Sequence, residues 1–160
     1  MILNLDLHTH LFEALGYPEV NIDSVRKICD AAKKCGLDGI AVTEHYSPSL
    51  GFKAREIVDR EGIEFLIIPG QEIVIERYHV VELYMFGRCK RILAHPIEPP
   101  PKRLKIDAIE LASIKGRFDS PKVMEYVNGN GVIPLFNSDA HYLNELGIYM
   151  TSIDIFDLFF

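Results

Sequence analysis

Short apolar runs alternate with amphipathic stretches along the chain. Apolar runs bounded by turn signals are typical of buried strands, and apolar positions three and four apart are typical of helices. The pattern predicts strands at residues 2–7, 39–43, 65–68, 91–94, 107–111, 132–136 and 148–156, with a hairpin at 72–76 and 79–86. It predicts helices at residues 51–60 and 120–127, and one capped by Asp23 and Ser24 that runs to Lys34. This alternation favours an α/β fold around a largely parallel sheet.

The number of alternating units is typical of a barrel, but the chain is short for one. An eight-fold barrel takes about 250 residues, whereas this chain has 160. A smaller or irregular barrel of about seven strands fits better. No internal repeat or flexible linker interrupts the pattern, and the three prolines at 99–101 form a stiff loop. Residues 1–160 are therefore expected to form a single domain.

Composition narrows the classes of function. Hydrophobic residues make up 48% of the chain and charged residues 25%, and no apolar run approaches a membrane span. The first residues lack the features of a signal peptide, so we expect a cytoplasmic protein with no membrane partner. The formal charge of −6 argues against broad binding to nucleic acid. The negative charge does not exclude an anionic substrate, because bound metal ions can reverse the sign of the local electrostatic field.

All six histidines stand beside a predicted strand end or in the predicted hairpin. His8 with His10, and Asp139 with His141, have i, i+2 spacing, which points both side chains of an extended segment the same way. A lone histidine in such a place is usually an ordinary hydrogen-bonded residue, but six coincidences are much less frequent. The carboxyl ends of parallel strands meet at one rim. The residues expected there are His8, His10, His45, Glu72, His95, Asp139 and His141, with His79 within reach from the hairpin. Imidazole and carboxylate together suit zinc, manganese, iron or nickel.

These residues resemble the polymerase and histidinol phosphatase (PHP) domain family, in order and over almost the whole chain. The most specific segments are the first and the last, Asp6-Leu7-His8-Thr9-His10 and Ser138-Asp139-Ala140-His141. Weaker similarities lie at Thr43-Glu44-His45, Gly70-Gln71-Glu72, His79, Ala94-His95-Pro96 and Asp107-Ala108-Ile109-Glu110. The resemblance implies a distorted (β/α)7 TIM-like barrel that holds two or three divalent metal ions, such as zinc, manganese or iron.

The resemblance also implies how the ligands are shared. A first ion would be held by His8, His10, Glu72 and Asp139. A second would be held by Glu72, His79 and His95, with Glu72 bridging. A third would use His45 and His141. Here the chain departs from the family, because the histidine that usually follows the first pair is missing. Glu13 or a water molecule would take its place, or the third site would be weak or empty.

The expected activity is that of a metal-dependent phosphoesterase, a phosphoric ester hydrolase that attacks with a metal-bound hydroxide. His45, or His141 where the third ion is absent, would protonate the leaving group. Asp6 is a candidate acceptor that orients a ligand histidine, with a hydrogen bond to backbone as an equal alternative. Arg117 is a candidate phosphate clamp, with simple solvent exposure as its alternative.

Two other functions compete with this one. A metal-dependent amidohydrolase-like enzyme would cleave amide or carboxyl ester bonds and leave phosphate esters intact. A noncatalytic scaffold like a subunit of ribonuclease P (RNase P) would be expected to lose metal ligands and gain basic surface, and this acidic chain does neither. The expected partner is a small phosphorylated substrate, with nucleotides among the candidates. The native metal and the formation of a homo-oligomer stay open.

Overall fold

A computed structural model describes all residues, Met1–Phe160, as a mixed α/β protein with one curled, half-barrel sheet. Its nine strands are β1 (Ile2–Asp6), β2 (Gly39–Val42), β3 (Leu66–Ile75), β4 (Tyr78–Met85), β5 (Arg88–Leu93), β6 (Ala108–Ser113), β7 (Gly116–Arg117), β8 (Ile133–Phe136) and β9 (Thr151–Asp154). Eight strands follow one path in the order β7-β6-β5-β4-β3-β2-β1-β9, and β8 pairs with β6.

The strand pairing differs from the expected (β/α)7 barrel. Strands β1, β2 and β3 are parallel, as are β5, β6 and β8, but β4 is antiparallel to both its neighbours. The reason is local: only Glu76 and Arg77 separate β3 from β4, so the chain turns back directly instead of crossing over through a helix. The sheet stays open along a seam between β8 and β1, bridged by a single pairing of Thr9 with Ala140.

Five helices accompany the sheet: α1 (Leu11–Ala14), α2 (Ile22–Lys34), α3 (Ser49–Glu61), α4 (Pro121–Asn130) and α5 (Ile155–Phe159), with a 3₁₀ turn at Leu143–Glu145. The start of α2 differs from the expectation. Its cap is Asn21, whose side chain accepts hydrogen bonds from the backbone N–H groups of Asp23 and Ser24. None of the helices has both the length and the apolar character that a membrane span requires.

Strand β3 is longer than expected because it continues through Pro69 and Gly70. Its first half pairs with β2 and its second half pairs with β4. The change of partner needs a close backbone approach, since a Cβ at Gly70 would lie 2.6 Å from the carbonyl oxygen of Glu82. The continuation carries Glu72 past the carboxyl end of β2, where its backbone pairs with His45.

The predicted last strand is shorter than expected and is followed by a helix. Strand β9 ends at Asp154, whose carboxylate accepts a hydrogen bond from the N–H of Phe156 and caps α5. Helix α5 buries Ile155, Leu158 and Phe159 in the apolar cluster that lines the interior of the half-barrel. The hydrophobic C-terminal residues are thus used largely within the core.

Candidate metal centre

The carboxyl ends of the strands bring together the histidines and acids that the sequence singled out. His8 and His10 follow β1, His45 follows β2, His95 follows β5, and Asp139 follows β8. Glu72 and His79 come from the facing halves of the β3–β4 hairpin, and His141 and Glu13 lie at the margin. Three groups of these side chains have donor atoms close enough to share a cation: His8, His10, Glu72 and Asp139; His10, Glu13 and His45; and Glu72, His79 and His95.

The first group is wholly buried and its donor atoms converge on one point. The Nε2 atoms of His8 and His10 are 3.2 Å apart. Each is close to Oε2 of Glu72, at 3.3 Å for His8 and 3.0 Å for His10. Each is also close to Oδ1 of Asp139, at 3.4 Å and 3.3 Å. Four protein donors thus surround a single space.

Glu72 also belongs to the second group, through its other oxygen. Oε1 lies 2.7 Å from Nδ1 of His79 and 3.3 Å from Nε2 of His95. Its Oε2 faces the first group. A carboxylate that presents one oxygen to each of two donor groups has the arrangement of a bridging ligand between two cations. Glu72 is only 2% exposed, so water hardly solvates its carboxylate and the neighbouring donors must stabilise the charge.

The third group lies beside the first, around His10. The His10 ring is 4.4 Å from the rings of both His45 and His141 between centroids, and those two rings are 6.3 Å apart. Glu13 Oε2 is 3.5 Å from His45 Nδ1 and 3.9 Å from His10 Nδ1. Since Nε2 of His10 already faces the first group, its Nδ1 carries the proton when that nitrogen binds a metal. Of this group, a third cation would therefore rest on Glu13 and His45. His141 lies outside the group, with its Nδ1 2.9 Å from the carbonyl oxygen of Asp139.

The donor set fits divalent cations. A metal ion with bonds of about 2.1 Å separates adjacent donor atoms by about 3.0 to 3.4 Å, depending on its geometry. The first group has this spacing throughout. Five buried atoms also lack any hydrogen-bond partner: His10 Nδ1, Glu13 Oε2, Glu44 Oε2 and both carboxylate oxygens of Asp139. Unpaired buried carboxylate oxygens are costly, and a cation at Asp139 would satisfy one of them.

The protonation equilibria of the cluster are strongly coupled. Burial alone would lower the pKa of His8, but Glu110, Glu72 and Asp139 raise it well above the ordinary value. Burial would likewise raise the pKa of Glu72, but hydrogen bonds from His10, His8 and His95 hold it far below its ordinary value. The buried carboxylates thus stabilise positive charge on the groups next to them, and the same property favours binding of a metal cation.

A buried acid, Glu110 on β6, orients the first group. Its Oε2 accepts a hydrogen bond from Nδ1 of His8 at 2.9 Å and another from the side chain of Asn137 at 3.1 Å. Its Oε1 accepts from the backbone N–H of His95 at 3.2 Å. Sequence reasoning gave Glu110 no role, although its segment is one of those that resemble the family. Asn137 was missed entirely, because nothing in the sequence pairs it with Glu110.

Asp6 does not orient a histidine. Its carboxylate accepts hydrogen bonds from the backbone N–H groups of Ser138, at 2.9 Å, and Gly147, at 3.4 Å. Burial raises the pKa of Asp6 to about 6, although these hydrogen bonds oppose the shift. Asp6 therefore ties β1 to the segment after β8 across the open seam, and the orienting contact to His8 comes from Glu110.

The structure places the expected phosphate clamp away from the cluster. Arg117 forms an ion pair with Asp119 on the protein surface and is not brought to the cluster. The cation that does reach it is Lys115, two residues earlier in the β6–β7 turn. Its Nζ lies 2.6 Å from Asp139 Oδ2 and 3.3 Å from His95 Nε2. No motif marks Lys115, because its position depends on the geometry of that turn.

The backbone is unusual at two of the clustered residues. His95 and Asp139 both have positive φ angles, +30° and +55°. Non-glycine residues adopt this left-handed region uncommonly, although histidine and aspartate do so more than most. Both residues follow the end of a strand, β5 and β8, and both belong to the donor groups described above.

A cavity of about 300 Å³ opens beside the second group. His79 and His95 form one side of it, and Tyr78, Ile97 and Glu98 line the rest. Arg77 contacts Glu98 at its rim. The cavity is near the small end of the range for ligand pockets.

Comparison with known proteins supports the fold but gives no family. No family model and no curated protein matches the chain. Solved structures that are similar include the following two. PsfC from Pseudomonas syringae PB-5123 has a TM-score of 0.62 and 18% identity, over 96% of this chain and 82% of that one. A protein from Bifidobacterium adolescentis ATCC 15703, provisionally described as a metal-dependent phosphoesterase, has a TM-score of 0.65 and 12% identity, over 96% and 98%. At these identities the similarity shows a shared fold.

Proposed function

We propose that residues 1–160 form a single metal-dependent hydrolase domain of the PHP type, which cleaves a phosphate ester at two or three divalent ions. The observation that carries the proposal is Glu72, whose two carboxylate oxygens face two separate groups of donor atoms. Paired metal sites are a common device of phosphatases and nucleases. The provisional description of the structurally similar Bifidobacterium protein adds support, at low identity.

The assigned ligands follow the three groups, except that His141 takes the place of His10 at the third ion, as the family resemblance implies. His8, His10, Glu72 and Asp139 hold the first ion, and Glu72, His79 and His95 hold the second. Glu13, His45 and His141 hold the third. Zinc, manganese and iron all suit these nitrogen and oxygen donors. When bound, such ions supply Lewis acidity, which activates water and neutralises charge on the phosphoryl oxygens.

The chain itself supplies orientation and proton transfer. Glu110 fixes the ring of His8, and Asn137 fixes Glu110. His45 and His141 flank His10 and are more accessible than the first group, with the His45 side chain 42% exposed. Burial and the adjacent imidazole of His10 lower the pKa of His45. We assign these two histidines to the third ion where it binds, and to protonation of the leaving oxygen where it does not.

The substrate class follows from charge and space. Two or more divalent ions outweigh the carboxylates of Glu72 and Asp139, so the site favours an anion although the chain carries a net charge of −6. The cavity beside His79 and His95 has room for a small molecule and is too small for a folded partner. A small phosphorylated compound, such as a nucleotide, meets both conditions.

Metal content and bond specificity together test the proposal. We expect plasma mass spectrometry of gently purified protein to find two or three divalent ions per chain. The loaded protein should hydrolyse p-nitrophenyl phosphate and leave p-nitrophenyl acetate and a p-nitroanilide intact, and a chelator should abolish the activity reversibly. Activity confined to the amide or carboxyl ester would instead identify an amidohydrolase-like enzyme. Protein that takes up no metal after incubation with manganese or zinc would favour the scaffold function.

A further inference from the structure

We propose that Lys115 is the residue that recognises the phosphoryl group of the substrate, an assignment that rests on the proposed function. Lys115 lies in the turn between β6 and β7, where its N–H donates to Oγ of Ser113. Its Nζ is the one ammonium among the clustered side chains, 2.6 Å from Asp139 Oδ2 and 3.3 Å from His95 Nε2. The two atoms it contacts belong to different donor groups.

The ammonium contacts atoms of two residues that the proposed function assigns as metal ligands. It donates towards Nε2 of His95, so the lone pair of that nitrogen faces the cation. It also compensates the buried carboxylate of Asp139, which is fully inaccessible to solvent. A protonated amine cannot ligate a metal, so an ion bound by Nε2 of His95 must displace Lys115 from that nitrogen. Asp139 faces the first group through Oδ1 and Lys115 through Oδ2, so the contact with Asp139 can remain.

The displaced side chain has the freedom to move by a few ångströms. The Lys115 side chain is 46% exposed, and its stem has four rotatable carbons. After metal binding the ammonium stays at the rim of the site beside Oδ2 of Asp139 but loses its contact with His95. Its charge then adds to that of the metal ions and is repelled by them. A phosphoryl dianion bound at the ions removes this conflict, because it gives the ammonium an oxygen acceptor at short range.

The other nearby cations do not compete for this role. Arg117 is held by Asp119, and Arg77 is held by Glu98 at the outer rim of the cavity. Lys115 is thus the cation that contacts ligand atoms directly. Its role explains how the site would prefer a phosphate ester to an uncharged amide or ester, since only the phosphate carries charge for the ammonium to bind.

The experiment measures binding of inorganic phosphate to the metal-loaded protein by calorimetry. We expect Lys115→Gln to retain its metal ions and to weaken phosphate binding about tenfold, with partial recovery in Lys115→Arg. The matched control is Lys122→Gln, which removes an exposed positive charge from α4 and should bind phosphate as the wild type does. Equal phosphate affinity in Lys115→Gln and wild type would overturn the assignment. A loaded wild type that binds no phosphate would overturn the proposed function itself.

A second measurement uses the wild type and does not depend on how the variants fold. Acetylation of lysines by an N-hydroxysuccinimide ester is followed by mass spectrometry, with metal bound throughout. Phosphate should protect Lys115 and leave the modification of Lys122 unchanged. If Lys115 reacts at the same rate with and without phosphate, it does not contact the phosphoryl group.

Discussion

Glu110 accepts a hydrogen bond from Nδ1 of His8 at 2.9 Å, and neither side chain is accessible to solvent. An ionised carboxylate has no proton to donate, so the proton of this bond belongs to Nδ1. In the neutral ring Nε2 then carries a lone pair, and that atom is the one directed at His10, Glu72 and Asp139. One buried contact thus sets both the tautomer and the direction of a metal ligand.

Removing this contact should weaken metal binding without removing a ligand. We expect Glu110→Gln to lower the affinity of the first ion by about 10- to 100-fold, because the ring of His8 loses the acceptor that orients it. Competition with a coloured chelator measures the affinity. Glu125→Gln, on the exposed face of α4, is the matched control. Unchanged affinity in Glu110→Gln would mean that packing alone positions His8.

The bridging arrangement of Glu72 predicts different ion counts for two isosteric variants. Glu72→Gln removes a charged donor from both principal groups, so we expect it to lose two ions. Asp139→Asn affects mainly the first group and should retain the ion held by His79 and His95. Mass spectrometry of the loaded variants counts the ions. Equal losses in the two variants would argue against Glu72 as the bridge.

Glu13 decides whether the third ion has a protein ligand in place of the missing histidine. If Glu13 binds the ion, Glu13→Gln should reduce the ion count from three to two and leave the affinity of the other two unchanged. Glu13 lies 3.5 Å from His45, so His45→Asn should have a similar effect. Retention of a third ion in Glu13→Gln would assign that position to water.

A polar network of side chains on β3, β4 and β5 predicts a pH-dependent stability. Burial would raise the pKa of Glu82, but hydrogen bonds from Tyr84, Gln71 and Arg91 together lower it. Glu82→Gln should therefore cost about 1 kcal/mol of unfolding free energy at neutral pH.

The sign of this pH dependence follows from the lowered pKa. The stabilisation from Glu82 is full above its unfolded pKa of about 4.3 and is lost as the pH falls through the folded value. Urea unfolding of wild type and Glu82→Gln should thus show a gap that narrows in acid. The exposed Glu64→Gln should show little effect at any pH. A gap that widens as the pH falls would contradict the network.

The sequence anticipated the clustering of the metal-binding candidates better than the shape of the sheet. Local spacing places His8 with His10, and Asp139 with His141, at strand ends. That spacing can be read from one sequence. The hairpin of β3 and β4 was also predicted, because its turn is local. The other strand pairings are long-range properties, so the partners of β8 and the open seam beside it were not predictable from local pattern. Lys115 was not predicted either, because only the folded turn between β6 and β7 brings its ammonium to Asp139.

The open seam has a consequence for folding. Ser138 donates its N–H to Asp6 across a separation of 132 residues, and the N–H of Asp139 reaches the carbonyl of His8 beside it. Contacts of such high sequence separation form late, because a long loop must close before they bring any stabilisation. The first donor group is therefore completed only when the two distant parts of the chain meet. Binding of a metal ion by this group would therefore report that these two parts of the chain have come together.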